Sequence, residues 1–375
     1  MQELLAELVR IPSVNPTLAP DEPGGEGAIA AFARDWLAAR GVEAALEEAA
    51  AGRPNVFARV GHGRGPTLAL CAHLDTVSAK GMTIAPCEPT VENGRLYGRG
   101  AYDMKGGVAA VLAATAALAA EAAGGHELAG QLVAALVADE EYASLGAADF
   151  VRRHPADGCI VTEPTEERIV LAHKGFVWAR LRTEGVAAHG SRPDLGVSAI
   201  GKMGRIVAAL EEFDRKTLRA RTHPLVGPAS MHAATIRGGS GLSTYASTCT
   251  LEVERRTLPG ETTAEVEAEL REVVRRAGEE AAVEVFFARS PLTCDPDADV
   301  VGCLRQAAAD GGRGAEEIGV AYWTDAAIFA GAGIPALLYG PGGAGAHAAV
   351  EWVEIDSVVR CARTLVEAAR RFTAG

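Results

Sequence analysis

Short apolar runs alternating with amphipathic stretches dominate the first 174 residues. Leu68–Ala72 is apolar throughout and reads as a strand buried on both faces. Asn55–Val60, Gln131–Ala138 and Gly158–Thr162 have similar patterns. Between them, helical spacing predicts helices near Gly27–Arg40 (stopped at Gly41), Lys105–Ala123 and Ser144–Arg153. Strands and helices in alternation predict an α/β sheet covered on both faces. The rhythm changes at Gly175. Phe176–Thr183 alternates like a half-buried strand, and Val197–Leu218 reads as a helix. Strands at Met231–Arg237 and Thr248–Thr257, a helix at Thr262–Ala277 and a strand at Ala282–Ala288 follow. The order β-α-β-β-α-β is that of a ferredoxin-like unit. After Ser290-Pro291 the first rhythm resumes, with a helix at Asp299–Ala309, a strand at Pro335–Tyr339 and a helix at Ile355–Thr373. We therefore expect a larger domain formed by residues 1–174 and 290–375, with residues 175–289 inserted as a second domain.

Composition narrows the function classes. Hydrophobic residues make up 48% and charged ones 23%, an ordinary balance for a globular chain. A formal net charge of -13 disfavours nucleic acid or an anionic membrane as main partner. Met1–Arg10 is an amphipathic, acid-bearing helix start without the basic leader of a secretion signal, and the apolar stretch Val108–Ala120 is short for a membrane span. The seven cysteines are scattered and never in Cys-x-x-Cys spacing, which argues against a disulfide framework and a thiolate zinc site. A cytoplasmic location is the expectation.

Chemistry gathers where the predicted strands end. In open α/β sheets functional groups collect beyond the carboxyl ends of the strands. His73 follows Leu68–Ala72, with Asp75 two positions on. Asp139, Glu140 and Glu141 follow Gln131–Ala138, and Glu163 follows Gly158–Thr162. A glycine-rich loop after Pro335–Tyr339 leads to His347, and Asp103 stands just before the Lys105–Ala123 helix. Such nitrogen and oxygen donors suit Zn²⁺, with Co²⁺ or Mn²⁺ as substitutes. Gly340–Gly345 matches Gly-x-Gly-x-x-Gly, but the βαβ unit that a dinucleotide site needs does not follow it. We read it as a loop whose backbone, at Gly342, approaches the substrate. The strand cysteines Cys71 and Cys159 read as buried and inert. No role is assigned to His62, His126, His154, His173, His223 or His232.

Five blocks occur in a fixed order: His73-Leu74-Asp75, Gly98–Gly107, Asp139-Glu140-Glu141, Glu163-Pro164-Thr165 and His347. In this they resemble the dinuclear zinc amidohydrolases and peptidases that include acetylornithine deacetylase, succinyl-diaminopimelate desuccinylase, glutamate carboxypeptidase and the aminoacylases. The resemblance runs from Ile11–Pro16 to Ala346–Glu351. It implies a mixed-sheet, zinc-peptidase-like α/β catalytic domain with an inserted ferredoxin-like lid and dimerisation domain. It further implies two zinc ions bridged by Asp103, with His73 and Glu163 completing one site and Glu141 and His347 the other. Asp75 would hold and polarise His73, Glu140 would be the general base, and the Asp103-Met104 peptide would be cis. In the insert, Ala188–Pro193 resembles the family's lid motif, whose histidine, here His189, stabilises the oxyanion, often from the partner subunit of a homodimer. Glu254–Glu261 resembles a motif whose arginine, here Arg256, binds the substrate carboxylate. Ser243 and Ala246 depart from the asparagine and proline usual in the family. Thr324-Asp325 reads equally as a family segment or as a helix cap. The expected activity is hydrolysis of the amide of a small N-acyl amino acid or peptide bearing a carboxylate, most like acetylornithine deacetylation. A carboxypeptidase, dipeptidase or desuccinylase is the alternative within the family. A non-catalytic metal- or peptide-binding relative is the alternative outside it, and the intact Glu140 argues against that.

Overall fold

Four parallel strands end at one edge of the main sheet in the computed structural model, which describes residues 1–62, 64–312 and 316–375. The chain divides into two compact units, Met1–Leu171 with Cys294–Ile318 and Thr324–Gly375, and Ala172–Thr293 with Gly319–Trp323.

In the first unit, helices α1 (Gln2–Arg10) and α2 (Gly27–Ala38) precede strands β1 (Ala44–Ala50), β2 (Arg53–Gly61) and β3 (Thr67–His73). Helix α3 (Gly106–Ala123), strand β4 (Gln131–Val137), helix α4 (Leu145–Arg153) and strands β5 (Gly158–Val161) and β6 (Ile169–His173) follow. The sheet order is β1-β2-β4-β3-β5, then Ala336–Leu338, β6 and Leu292–Thr293, with Glu317–Val320 also paired to β6. Strands β4, β3, β5 and Ala336–Leu338 are mutually parallel, while β1 and β2 pair antiparallel with their neighbours and β6 with Ala336–Leu338. Registers His73 to Val137 and Cys71 to Val161 bring the strand ends level. The continuous apolar runs of β3, β4 and β5 suit burial on both faces. Helices α3 and Ile355–Ala374 pack together against β3 and β4, and α4 packs with the short helix Ala326–Gly331.

Several strands escape the sequence pattern, β1 and β6 among them. β1 is an edge strand of alanine and glutamate, poor strand formers, and β6 is five residues that abut the next strand almost without a turn. Helix α3 has no polar face because it lies in the core. The helical run Ala101–Ala123 is longer than the apolar stretch suggested and could cross a membrane by length and composition, but 56% of its apolar window is buried inside the protein. A small four-stranded sheet, unforeseen in so polar a stretch, joins Thr90–Glu92, Arg95–Tyr97, Trp352–Glu354 and Gly343–Ala344.

The second unit orders its strands Ser230–Gly238, Thr248–Thr257, Gly175–Glu184, Ala282–Arg289, all antiparallel. Helices Ala199–Lys216 and Thr263–Arg276 complete the β-α-β-β-α-β order. Alternate residues Val177, Leu181, Leu251 and Val253 pack with Met203, Ile206, Val266 and Leu270 of the helices. Thr262 and Glu265 form a reciprocal capping box at the second helix, an arrangement worth about 1 kcal/mol.

Candidate metal centre

Strand β3 delivers His73 to the sheet edge in a defined tautomer. Its Nδ1 lies 2.9 Å from the main-chain carbonyl oxygen of Asp75, which can only accept, so Nδ1 carries a proton and Nε2 faces the acidic cluster. Nε2 stands 3.2 Å from Asp103 Oδ1 and 3.9 Å from Glu163 Oε1. The other oxygen of the same aspartate, Oδ2, stands 3.3 Å from His347 Nε2, which is also 3.3 Å from Glu141 Oε2. Asp103 thus turns one oxygen to each of two donor sets. Ligand atoms of His73, Glu140 and Glu163 also lie within 4.8 Å of one another, as do those of His73, Asp103 and Glu141. Glu140 therefore stands against the first set.

Local backbone places these groups. Asp103 sits in a wide helical turn, Ala101–Lys105, with non-helical dihedrals at Asp103 and Met104 and a cis peptide between them. Lys105, also buried, donates to the carbonyl of Ile11 at 2.7 Å, and burial lowers its ammonium pKa to about 8. Helix α3 comes close to the end of β5 because Gly107 has no side chain. A Cβ there would lie 2.3 Å from the carbonyl oxygen of Thr162, next to Glu163. Asp139 adopts φ 71, a left-handed conformation uncommon outside glycine, and so turns the chain between β4 and Glu140-Glu141.

Burial and mutual repulsion dominate the electrostatics. Burial, reinforced by Glu163, pushes the Glu140 carboxyl well above the ordinary range, and burial beside Asp103 does the same to Glu163. Glu141 is raised by burial against the opposing hydrogen bond from His347. Hydrogen bonds to Asp103 and Glu141 raise the His347 imidazole to about 10. Burial opposes the charged His73 ring, yet the Asp103 hydrogen bond and surrounding carboxylates raise it. Among the described residues, buried Glu141 Oε1 and Glu163 Oε1 have no hydrogen-bond partner. An excess of buried carboxylates with orphaned oxygens is a chemistry that a divalent cation completes. The donors fit two such ions, one among His73, Asp103 and Glu163, the other among Asp103, Glu141 and His347.

The geometry corrects one expectation and bears on a second. The Asp75 carboxylate does not hydrogen-bond the His73 ring, since Oδ1 is 3.7 Å from Nδ1 and the main-chain carbonyl takes that place. Its oxygens instead accept the backbone N–H groups of Glu140 at 3.1 Å and Glu141 at 3.2 Å, and the Asn15 amide at 2.7 Å. Gly342 is buried, and its backbone hydrogen-bonds within the protein. Its N–H donates to Ser357 Oγ at 2.7 Å, and its carbonyl accepts from Glu354.

Several residues behind the site escaped sequence reading. Asn15 also donates to Asp139 at 2.9 Å, and Arg53 joins Asp139 at 2.7 Å to Glu26 through two bonds of 2.6 and 2.7 Å. Asn15 lies in the Ile11–Pro16 block, and that block was the only signal for it. Asp325, at the start of the short helix Ala326–Gly331, makes no side-chain cap, and its charge helps raise Glu140 and Glu163. Cys71 and Cys159 are buried with thiol pKa values raised well above the ordinary one by burial, as expected of inert thiols.

His189 and Arg256 belong to the second unit. The backbone N–H of Ser191 donates to His189 Nδ1 at 3.2 Å, which leaves the neutral ring's proton on Nε2. Arg256 donates through Nε to Glu254 at 2.7 Å and lies over the Phe176 ring. Its neighbour Arg255 is buried and bonded to Glu261, so Arg256 is the more accessible of the pair.

Comparison with known proteins shows the family to which the chain belongs. Residues 69–371 match the model of Peptidase family M20/M25/M40. The acetylornithine deacetylase of Myxococcus xanthus is 32% identical over 343 residues, covering 88% of this chain and 87% of that protein. A tripeptidase from Staphylococcus aureus superposes with a TM-score of 0.80 at 21% identity, covering 100% of this chain and 98% of that one. A dinuclear metal-binding peptidase of the M20 family from Bacillus subtilis gives a TM-score of 0.72 at 16% identity, covering 98% and 96%. With the match extending over most of its length, this chain belongs to peptidase family M20/M25/M40 and is a hydrolase of that family.

Proposed function

We propose that the protein hydrolyses the amide bond of a small, carboxylate-bearing N-acyl amino acid, with an N-acetylornithine-like compound as first candidate substrate. The observation that carries the reaction is the division of Asp103, one oxygen toward His73 and the other toward His347. The choice of substrate leans on the Myxococcus xanthus relative. Two divalent ions, Zn²⁺ or its Co²⁺ or Mn²⁺ substitutes, held by His73, Asp103, Glu141, Glu163 and His347 would supply Lewis acidity toward the carbonyl and lower the pKa of a shared water to about 7.

The residues of the chain do the rest. Glu140, held beside the donor sets by its own backbone contact to Asp75, takes the proton of the attacking water and returns it to the leaving nitrogen. His189 offers an Nε2–H donor to the developing oxyanion, and Arg256 pairs with the substrate carboxylate. A cytoplasmic homodimer formed through the second unit belongs to the same proposal. Exposed Val186, Leu195, Ile236 and Leu242 on that unit support a self-association surface, and the seven free cysteines support a reducing compartment.

A hydrolysis screen of N-acetyl, N-formyl and N-succinyl amino acids and dipeptides, with Zn²⁺ or Co²⁺ present, tests the substrate class. Chelation should abolish the activity found and added metal should restore it; activity indifferent to chelation would sink the reading. Glu140→Gln should retain metal and lose on the order of 10²–10⁴-fold in kcat, and normal turnover would remove Glu140 from the mechanism.

A further inference from the structure

Both outer ligand turns grow from the small sheet. Arg95–Tyr97 pairs with Trp352–Glu354, which in turn pairs with Gly343–Ala344. The chain leaves the first of these strands toward Asp103, and the other two flank the 345–351 loop that carries His347. At the end of that loop lies Glu351, wholly buried. Its carboxylate gathers four donors: Arg99 Nη1 at 2.8 Å and the Gly100 N–H at 3.0 Å on Oε2, and the N–H groups of Tyr102 and Asp103, each at 3.0 Å, on Oε1. Arg99 reaches back through Nη2 to the carbonyl of Ala348 at 3.3 Å, and the Gly98 N–H donates to the Glu351 carbonyl at 3.1 Å.

The two donor sets depend on this clamp unequally. His73 and Glu163 issue from adjacent parallel strands of the main sheet, so their separation is set by the strand ladder. His347 has no strand under it. It is half exposed and left-handed at φ 60, on a loop tied elsewhere through Ala349, whose carbonyl accepts from Thr83.

We propose that Glu351 is a positioning residue that sets the spacing between Asp103 and His347, and so tunes the second metal position (Asp103, Glu141, His347) more strongly than the first, where His73 and Glu163 are held by the strand ladder and only the shared Asp103 touches the clamp. This rests on the metal reading given under Proposed function. A buried carboxylate accepting hydrogen bonds along both edges cannot be replaced by its amide without setting an NH₂ against donors, although the shape is kept. Glu351→Gln therefore changes the clamp with little change in packing.

The test is calorimetric titration of Zn²⁺ into the full chain stripped of metal, repeated with Co²⁺ and followed by absorption. Wild type should bind two ions. In Glu351→Gln the second event should weaken by about 10–100-fold, the range for partners that orient metal ligands, while the first, which shares only Asp103 with the clamp, weakens far less and largely keeps its cobalt spectrum. Two events of wild-type affinity, or two weakened alike, would overturn the proposal. A wild type that binds fewer than two ions would instead overturn the metal reading itself. Should Glu351→Gln fail to fold, Arg99→Lys keeps the charge but cannot span Glu351 and Ala348 together. It should weaken the second event in the same direction, and unchanged binding there overturns the proposal.

Discussion

Asp75 shows how a correct pairing of residues can carry the wrong contact. Period-two alternation puts His73 and Asp75 on one side of the chain, and they do meet, but through the main-chain carbonyl of Asp75. Its carboxylate turns to the Glu140 and Glu141 amides, 65 and 66 residues away in sequence. Behind it, Asn15 bridges Asp75 to Asp139, and Arg53 ties Asp139 to Glu26. Exchanging Asp75 for asparagine puts an NH₂ group where donors converge. Asp75→Asn should lower kcat by about 10–100-fold with metal content retained. Wild-type kcat in a variant of normal metal content would show that these contacts do not orient the acidic pair. None of this was visible in the sequence, because a hydrogen-bond acceptor looks the same whichever donor the fold brings to it.

Elements were more legible than contacts. The apolar runs of β3, β4 and β5 announce themselves because parallel strands covered on both faces leave no polar positions. Helix α3 is equally plain, and its start encodes a packing demand that only the structure explains. A side chain at Gly107 would place its Cβ 2.3 Å from the Thr162 carbonyl oxygen, a clash that glycine avoids. Gly107→Ala should therefore cost roughly 1–3 kcal/mol of stability through overpacking. By displacing the end of β5 it should also weaken metal binding at Glu163. Thermal melts and metal titration check both, and an unperturbed variant would mean that the helix shifts freely. The strands missed were those with weak signals: β1, rich in alanine and glutamate, and the three-residue strands of the small sheet. Short strands are fixed by what they pair with, so their own residues say little.

For the whole molecule, the acidic cluster makes stability depend on metal and pH together. In metal-free protein the His347 imidazolium stands between Asp103 and Glu141, with a pKa raised from 6.5 to about 10. A raised imidazole pKa means that the folded state binds more protons, so its contribution is full below pH 6.5 and is lost as pH rises through about 10. Metal-free protein should thus melt at progressively lower temperature across that window. His347→Gln should flatten part of the slope, and saturating Zn²⁺ should raise the melting temperature by mass action, about 4 kcal/mol at a thousandfold excess over Kd. A metal-free melting temperature that rises with pH in this window would contradict the assignment. The sequence by itself determined the α/β architecture and the βαββαβ insert, because hydrophobic period and order are local properties of the chain. It also determined which side chains gather at the strand ends, since a parallel sheet sends all its carboxyl ends to one edge. Tertiary structure alone decided which oxygen of Asp103 faces which histidine, what the Asp75 carboxylate holds, and that Glu351 closes the His347 loop onto the Asp103 turn. Those are choices among equivalent donors and acceptors, settled only by distances between segments far apart in the chain.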